Sequence, residues 1–202
     1  MSEDRPSQTA SRSRLGLKKR LVRIALAVAS LWVLQLVDTL QIWGDLARFG
    51  IVPRTVDGLR GIPFAPFLHE GFGHLATNTL PLFALAALVS LRGMGSLATV
   101  TLLVTVASGF ATWALARGGA PHLGASGLVF GYLGFLLTAG IVERSVRSLA
   151  IAALTVALYG SLLWGVLPTQ PNVSWEGHLF GFGAGILVGR YGPVRPPREG
   201  PS

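Results

Sequence analysis

The amino-acid sequence predicts an all-α fold, a polytopic membrane protein built as a bundle of six transmembrane helices, and three observations carry that expectation. Charge is sparse: 13% of the 202 residues are charged and 50% are hydrophobic, whereas about a quarter of a soluble domain is charged. The uncharged residues come in runs long enough for a helix rising about 1.5 Å per residue to cross about 30 Å of hydrocarbon. Finally, the charges sit at the two ends of the chain and in the joints between those runs. That distribution, despite a net charge of +8, fits membrane topology and argues against a nucleic-acid-binding groove. The chain has no cysteine, which excludes disulfides and thiolate chemistry.

Residues 1–20 are polar, rich in Ser and Arg and without apolar periodicity, so a disordered basic cytoplasmic tail is expected there. A first span is expected over 21–43, with Asp38 near its far end. The basic residues ahead of it (Arg12, Arg14, Lys18, Lys19, Arg20) would suit a signal peptide. The run is nevertheless span-length, and no small-residue cleavage site follows it. The stretch 44–68 changes texture, interleaving Arg48, Pro53, Arg54, Asp57, Arg60, Pro63 and Pro66 with Phe64 and Phe67; it reads as a loop lying partly in the membrane interface. Further spans are expected at 72–91, 95–115, 123–142 and 149–167. The sixth, 175–191, is short and glycine-dense and needs Trp175 and Tyr191 as its interfacial anchors. Residues 192–202 read as a second cytoplasmic tail, leaving a six-span domain over 21–191.

Counting cations orients the bundle. Thirteen of the seventeen Lys and Arg residues fall on the side shared by the N-terminal tail, Arg92, Arg144, Arg147 and the C-terminal tail, leaving Arg48, Arg54, Arg60 and Arg117 on the other. Both termini are therefore expected in the cytoplasm, and spans two, four and six start at the outer face. No tandem repeat of a size that would mark duplicated transporter halves is visible.

This topology puts His74 and Asn78 near the outer end of span two, Ser126 near that of span four and His178 at that of span six. An unpartnered polar side chain is costly in hydrocarbon, so groups delivered to one depth by three spans should face one another or a wet cavity. Taken singly, each histidine reads as an interfacial residue bonded to a carbonyl or water, and the small residues around Ser126 read as helix packing. The convergence is what points to a site. His74 and Asn78, four apart, share a helix face. Gly127, Gly131 and Gly134 make a smooth strip on span four, while Gly181 and Gly185 follow His178 by three and seven. Such strips let two helices approach closely, as a direct hydrogen bond from Ser126 to His178 requires; His178 would then take the serine proton. A metal alternative rests on His69-Glu70 followed by His74. Zinc helices carry histidines four apart, whereas five apart turns the second by about 140°. No Asp/Glu-rich segment adds ligands, so no metal is expected.

Gly124-Ala125-Ser126-Gly127, His178 with Gly181 and Gly185, and His74 with Asn78 together resemble the motifs of the rhomboid intramembrane serine proteases, and His69 fits the same pattern. The resemblance covers residues 64–189, and the ordered set of motifs is specific although each alone is not. It implies a six-span rhomboid-like bundle and a serine endopeptidase that hydrolyses peptide bonds in or beside transmembrane segments of other proteins. It implies Ser126 as nucleophile and His178 as general base, in a dyad without an acidic member. By the same resemblance His74, Asn78 and the Ser126 backbone N–H form an oxyanion hole, Phe130 stacks on the catalytic histidine, and the glycines support the site. No cofactor is implied, and the partners are transmembrane protein substrates and the lipid bilayer, with no nucleic acid.

Two departures stand out. The Trp-Arg pair common in the family's first loop is missing from residues 61–68, and Leu91-Arg92-Gly93 replaces an acidic residue sometimes found after span two. Glu176, two before His178, reads as a first-turn charge at the positive helix end rather than a third catalytic member. Two other readings compete. An inactive rhomboid-like protein that retains membrane clients would typically lose Ser or His, and both are kept here; a small channel or transporter would show flux that survives Ser126→Ala.

Overall fold

The computed structural model describes residues 5–168 and 174–194. Among these the chain is helical, with no strand and one isolated β-bridge, between Ile51 and His122. The helices are α1 (Arg5–Thr39), α2 (Val56–Arg60), α3 (Phe72–Ser90), α4 (Met94–Leu115), α5 (Ser126–Glu143), α6 (Val146–Tyr159) and α7 (Trp175–Tyr191). Among the described residues five segments, Arg14–Thr39, Phe72–Ser90, Met94–Leu115, Ser126–Glu143 and Val146–Val166, are long and apolar enough to cross a membrane. The shorter α7, of 17 residues, is not among them.

α1 reaches back to Arg5, into the stretch expected as a tail. Leu, Lys and Arg are good helix formers, and extending an existing helix avoids the cost of a new nucleus. At its other end α1 stops at Thr39 rather than 43, because Gln41 takes a left-handed φ of 54° and the Asp38 carboxylate turns to accept the Leu46 N–H at 2.8 Å. Residues 1–4, and the part of the expected C-terminal tail from residue 195 on, lie outside the described residues.

The segment expected as a loop carries short helical turns, Leu46–Phe49, α2 and Ala65–Phe67. Its apolar residues Ile51, Ile62 and Ala65 are buried together against Trp113 of α4. Arg54 caps the end of α4 by donating to the carbonyls of Ala114 and Ala116, and Trp113 Nε1 donates to Thr55 O at 2.7 Å. The loop is thus bolted to the C-terminal end of α4.

α5 occupies the centre. Its residues from Leu128 to Leu136 are all buried, the all-round burial that marks an interior helix. It packs most extensively against α7 and also contacts α3, α4 and α6. The glycine strips explain that intimacy: a Cβ on Gly181 would run into the Gly127 carbonyl, one on Gly185 into the Gly131 carbonyl, and one on Gly134 into the Phe182 carbonyl. Backbone therefore meets backbone along the seam, as small residues in apolar helices permit. α6 loses α geometry at Gly160 and continues as a 3-10 turn over Gly160–Val166.

At the opposite end from Ser126, Arg92 is only 8% exposed. It pairs with Glu143 at 2.5 Å, whose other oxygen accepts the Ser148 hydroxyl. The turn after α3 is thereby tied to the α5–α6 turn, and Arg20 of α1 adds a bond to Ser90 O at 3.0 Å.

Candidate active site

Ser126 is delivered by a short extended approach. His122 exchanges backbone hydrogen bonds with Ile51 (2.9 and 2.8 Å), and Gly124 N–H donates to Ala65 O at 2.9 Å. Next along the chain, Ala125 N–H donates to His69 Nε2 at 3.2 Å. Gly124 has φ +118°, and a Cβ there would stand 2.8 Å from His74 Cε1, so both the turn and the packing of the His74 ring require glycine. These constraints delay the start of α5 to Ser126, three residues after the expected 123. Ser126 is the first helical residue, and first-turn amides have no intrahelical acceptor. The nucleophile candidate therefore sits at the positive end of a buried helix.

His178 lies in the first turn of α7, four residues after the N-cap Ser174, whose side chain accepts the Gly177 N–H. Its Nδ1 is 2.8 Å from Gly165 O. A carbonyl only accepts, so Nδ1 carries the proton and Nε2 keeps its lone pair. The ring stacks on Phe130 with centroids 4.2 Å apart and planes 11° apart. Gly165 is required where it is, since a Cβ would lie 2.8 Å from Phe130 Cζ and 3.4 Å from His178 Nδ1.

Ser126, His178, His74, Asn78, Phe130 and Gly165 all line one open cavity of about 640 Å³. Among the described residues the Ser126 hydroxyl has no hydrogen-bond partner, so the expected contact with His178 is not closed; catalytic hydrogen bonds commonly tighten only when substrate binds. Asn78 is 6% exposed, and its Nδ2 donates to His74 O at 2.9 Å, leaving a second amide hydrogen. A smaller pocket of about 50 Å³ adjoins Ser126 and Gly127 from the α4 side, with Thr105, Ser108 and Ser174 in its wall. That is room for water among hydroxyl partners.

His69 is 5% exposed and meets the His74 ring edge-on at 5.3 Å. Burial, reinforced by the neighbouring His74, lowers its pKa to about 4. It is therefore neutral near pH 7, as accepting the Ala125 N–H requires.

Two polar bridges tie the serine loop to the start of α7, and sequence reading singled out neither. Arg117 grips Glu176 through Nε at 2.5 Å and a second nitrogen at 3.2 Å. Glu176 is thus a buried ion-pair partner, 4% exposed, rather than only a first-turn charge. His122 lies 2.9 Å from Arg117 O through Nε2 and 2.6 Å from the Ser174 hydroxyl through Nδ1. The carbonyl fixes Nε2 as donor, so Nδ1 accepts from Ser174. Gly165 was also missed; the only local signal is a glycine near the end of an apolar run.

The family profile described as the Rhomboid domain matches residues 58–193. Similar proteins include uncharacterized proteins of Mycobacterium tuberculosis and Mycobacterium bovis, each 38% identical over 169 residues, covering 80% of this chain and 70% of theirs. An uncharacterized protein of Mycobacterium leprae is 36% identical over 189 residues, covering 90% of this chain and 74% of its own. A match over residues 58–193 and relatives at this level place the chain in one family: it belongs to the rhomboid family, whose members are generally intramembrane serine proteases.

Proposed function

We propose that this chain is an intramembrane serine endopeptidase that cuts transmembrane proteins with a Ser126–His178 dyad. The observation that carries the reading is the hydrogen bond from His178 Nδ1 to Gly165 O, which leaves Nε2 as the proton acceptor on the cavity that Ser126 also lines. Ser126 Oγ attacks the scissile carbonyl as Nε2 takes its proton. The carbonyl oxygen, now negative, is met by the Ser126 N–H, the Asn78 amide and the His74 ring. Collapse breaks the C–N bond, and the imidazolium returns the proton to the leaving amine. A water then hydrolyses the acyl-enzyme with His178 again as base.

The membrane arrangement belongs to the same proposal. α7 is counted as the sixth span, since 17 residues reach about 26 Å between Trp175 and Tyr191. Both termini face the cytoplasm by the distribution of Lys and Arg, which puts the site toward the outer face. Serine-directed phosphonate labelling of purified protein, paired with cleavage of a model transmembrane substrate, tests the chemistry. Ser126→Ala should abolish both labelling and cleavage, and His178→Ala should abolish cleavage, with expression and helicity kept. Cleavage by both variants at the wild-type rate would remove the dyad.

A further inference from the structure

We propose that Glu70 selects substrates with a Lys or Arg close to the scissile bond, so that the clients are membrane proteins carrying a basic residue at the outer end of the cut segment. This rests on the protease reading above. Among the described residues lining the cavity, Glu70 is the one acidic side chain, and no Lys or Arg lines it. Residues 169–173, which follow Pro168 in sequence, are Thr, Gln, Pro, Asn and Val and include no Lys or Arg. Glu70 is exposed, and the ion pairs among the described residues join Arg60 to Asp57, Arg92 to Glu143 and Arg117 to Glu176.

The arginines assigned to the same face are all engaged. Arg48 donates to Trp43 O, Arg54 to Ala114 and Ala116, Arg60 to Asp57 and Arg117 to Glu176. The cavity thus presents at its rim a carboxylate that is in no ion pair among the described residues and whose charged neighbour there is the His74 ring, two residues before α3 begins at Phe72. Other lining residues, Leu162, Trp164 and Leu167, are apolar, with Trp164 73% exposed. A segment that fits has apolar side chains for that wall and a cation near Glu70. A carboxylate at a low-dielectric lip attracts such a cation and repels an acidic residue, which is discrimination by charge complementarity.

The test uses the full chain in phosphatidylcholine vesicles with one transmembrane substrate, scanning Lys, Gln and Glu through each position flanking the cut. At one or two positions on the outer side, Lys should exceed Glu in kcat/KM by about tenfold at low salt, with the ratio falling as salt is added. Glu70→Gln should bring that ratio toward one, and Glu70→Lys should invert it. Equal rates for the three residues at every position, a Lys preference spread evenly over all positions, or one that survives Glu70→Lys would overturn the proposal. If no substrate is cut and Ser126 is not labelled, the protease reading falls and takes this proposal with it.

Discussion

Gly183 and Gly185 lie two residues apart in α7 and offer a matched test of the helix seam. A Cβ on Gly183 would meet nothing within 4 Å, whereas on Gly185 it would enter the Gly131 carbonyl oxygen and stand 2.8 Å from Gly131 C and 2.9 Å from Phe135 N. Helix backbone cannot rotate aside as a side chain can, so α5 and α7 must separate by about 1 Å. Overpacking of this kind costs about 1–3 kcal/mol, while Gly→Ala at an open helical site gains up to about 1 kcal/mol. The propensity gain is common to both variants and cancels, so Gly183→Ala and Gly185→Ala should differ by about 1–3 kcal/mol in unfolding free energy, with Gly185→Ala the less stable. Unfolding of purified protein in mixed micelles, titrated with a denaturing detergent, measures the difference. Because α7 also carries His178, a shift of about 1 Å should lower kcat by about 10². Equal stability of the two variants would refute the close-packing argument, and a destabilised Gly185→Ala with wild-type kcat would refute the claim that this seam sets the dyad.

Asn78→Ala should lower kcat by about 10² to 10³ with little change in KM if the amide meets the oxyanion; an unchanged kcat would assign Asn78 to packing. Gly124→Ala should reduce phosphonate labelling of Ser126, since it combines a left-handed φ with a clash against His74; wild-type labelling would count against that geometry. For His69, the folded pKa of about 4 lies below the ordinary 6.5, so the unfolded chain takes the proton first as pH falls. Its contribution is whole above about pH 6.5 and declines toward pH 4 by up to about 3 kcal/mol. His69→Gln, which keeps an acceptor for the Ala125 N–H, should flatten that slope in detergent-unfolding curves measured across pH. Arg117→Ala should lower both Tm and kcat by leaving the Glu176 carboxylate buried without its guanidinium, and adding Glu176→Gln should recover much of the Tm.

What could be read from the sequence was whatever depends on residue type at short spacing. Long uncharged runs bounded by charges coincide with the helices from α3 to α7, although α6 leaves α geometry at Gly160, well short of the expected end at 167. The spacing of Gly127, Gly131, Gly134, Gly181 and Gly185 announced the α5–α7 seam, because only small side chains allow it. Helix ends were less legible where distant partners decide them. α5 starts at Ser126 because residues 122–125 are bonded to Ile51, Ala65 and His69, more than fifty positions away. Arg92 looked like a turn charge and is a buried ion-pair member, its partner Glu143 being set by how two turns meet. Gly165 was the hardest to foresee: it acts through a backbone carbonyl, which every residue possesses, and only its missing Cβ is distinctive.

That carbonyl bears on how the proposed serine hydrolase would work without an acid. In a triad the carboxylate sets the imidazole tautomer and stabilises the imidazolium as it forms. Here Gly165 O sets the same tautomer, and the Phe130 ring restricts the imidazole from its face, so orientation is supplied by neutral groups. A carboxylate at this depth would have to be desolvated, a penalty of several kcal/mol unless fully paired. Glu176 would be the nearest candidate in sequence, but two positions turn it about 200° around the helix from His178, and its carboxylate is held by Arg117. The neutral arrangement forgoes charge stabilisation of the imidazolium, so more of the transition-state stabilisation falls to the oxyanion donors. The proposed reaction should accordingly be more sensitive to loss of the Asn78 amide than to loss of the Arg117–Glu176 bridge, which touches neither reacting group.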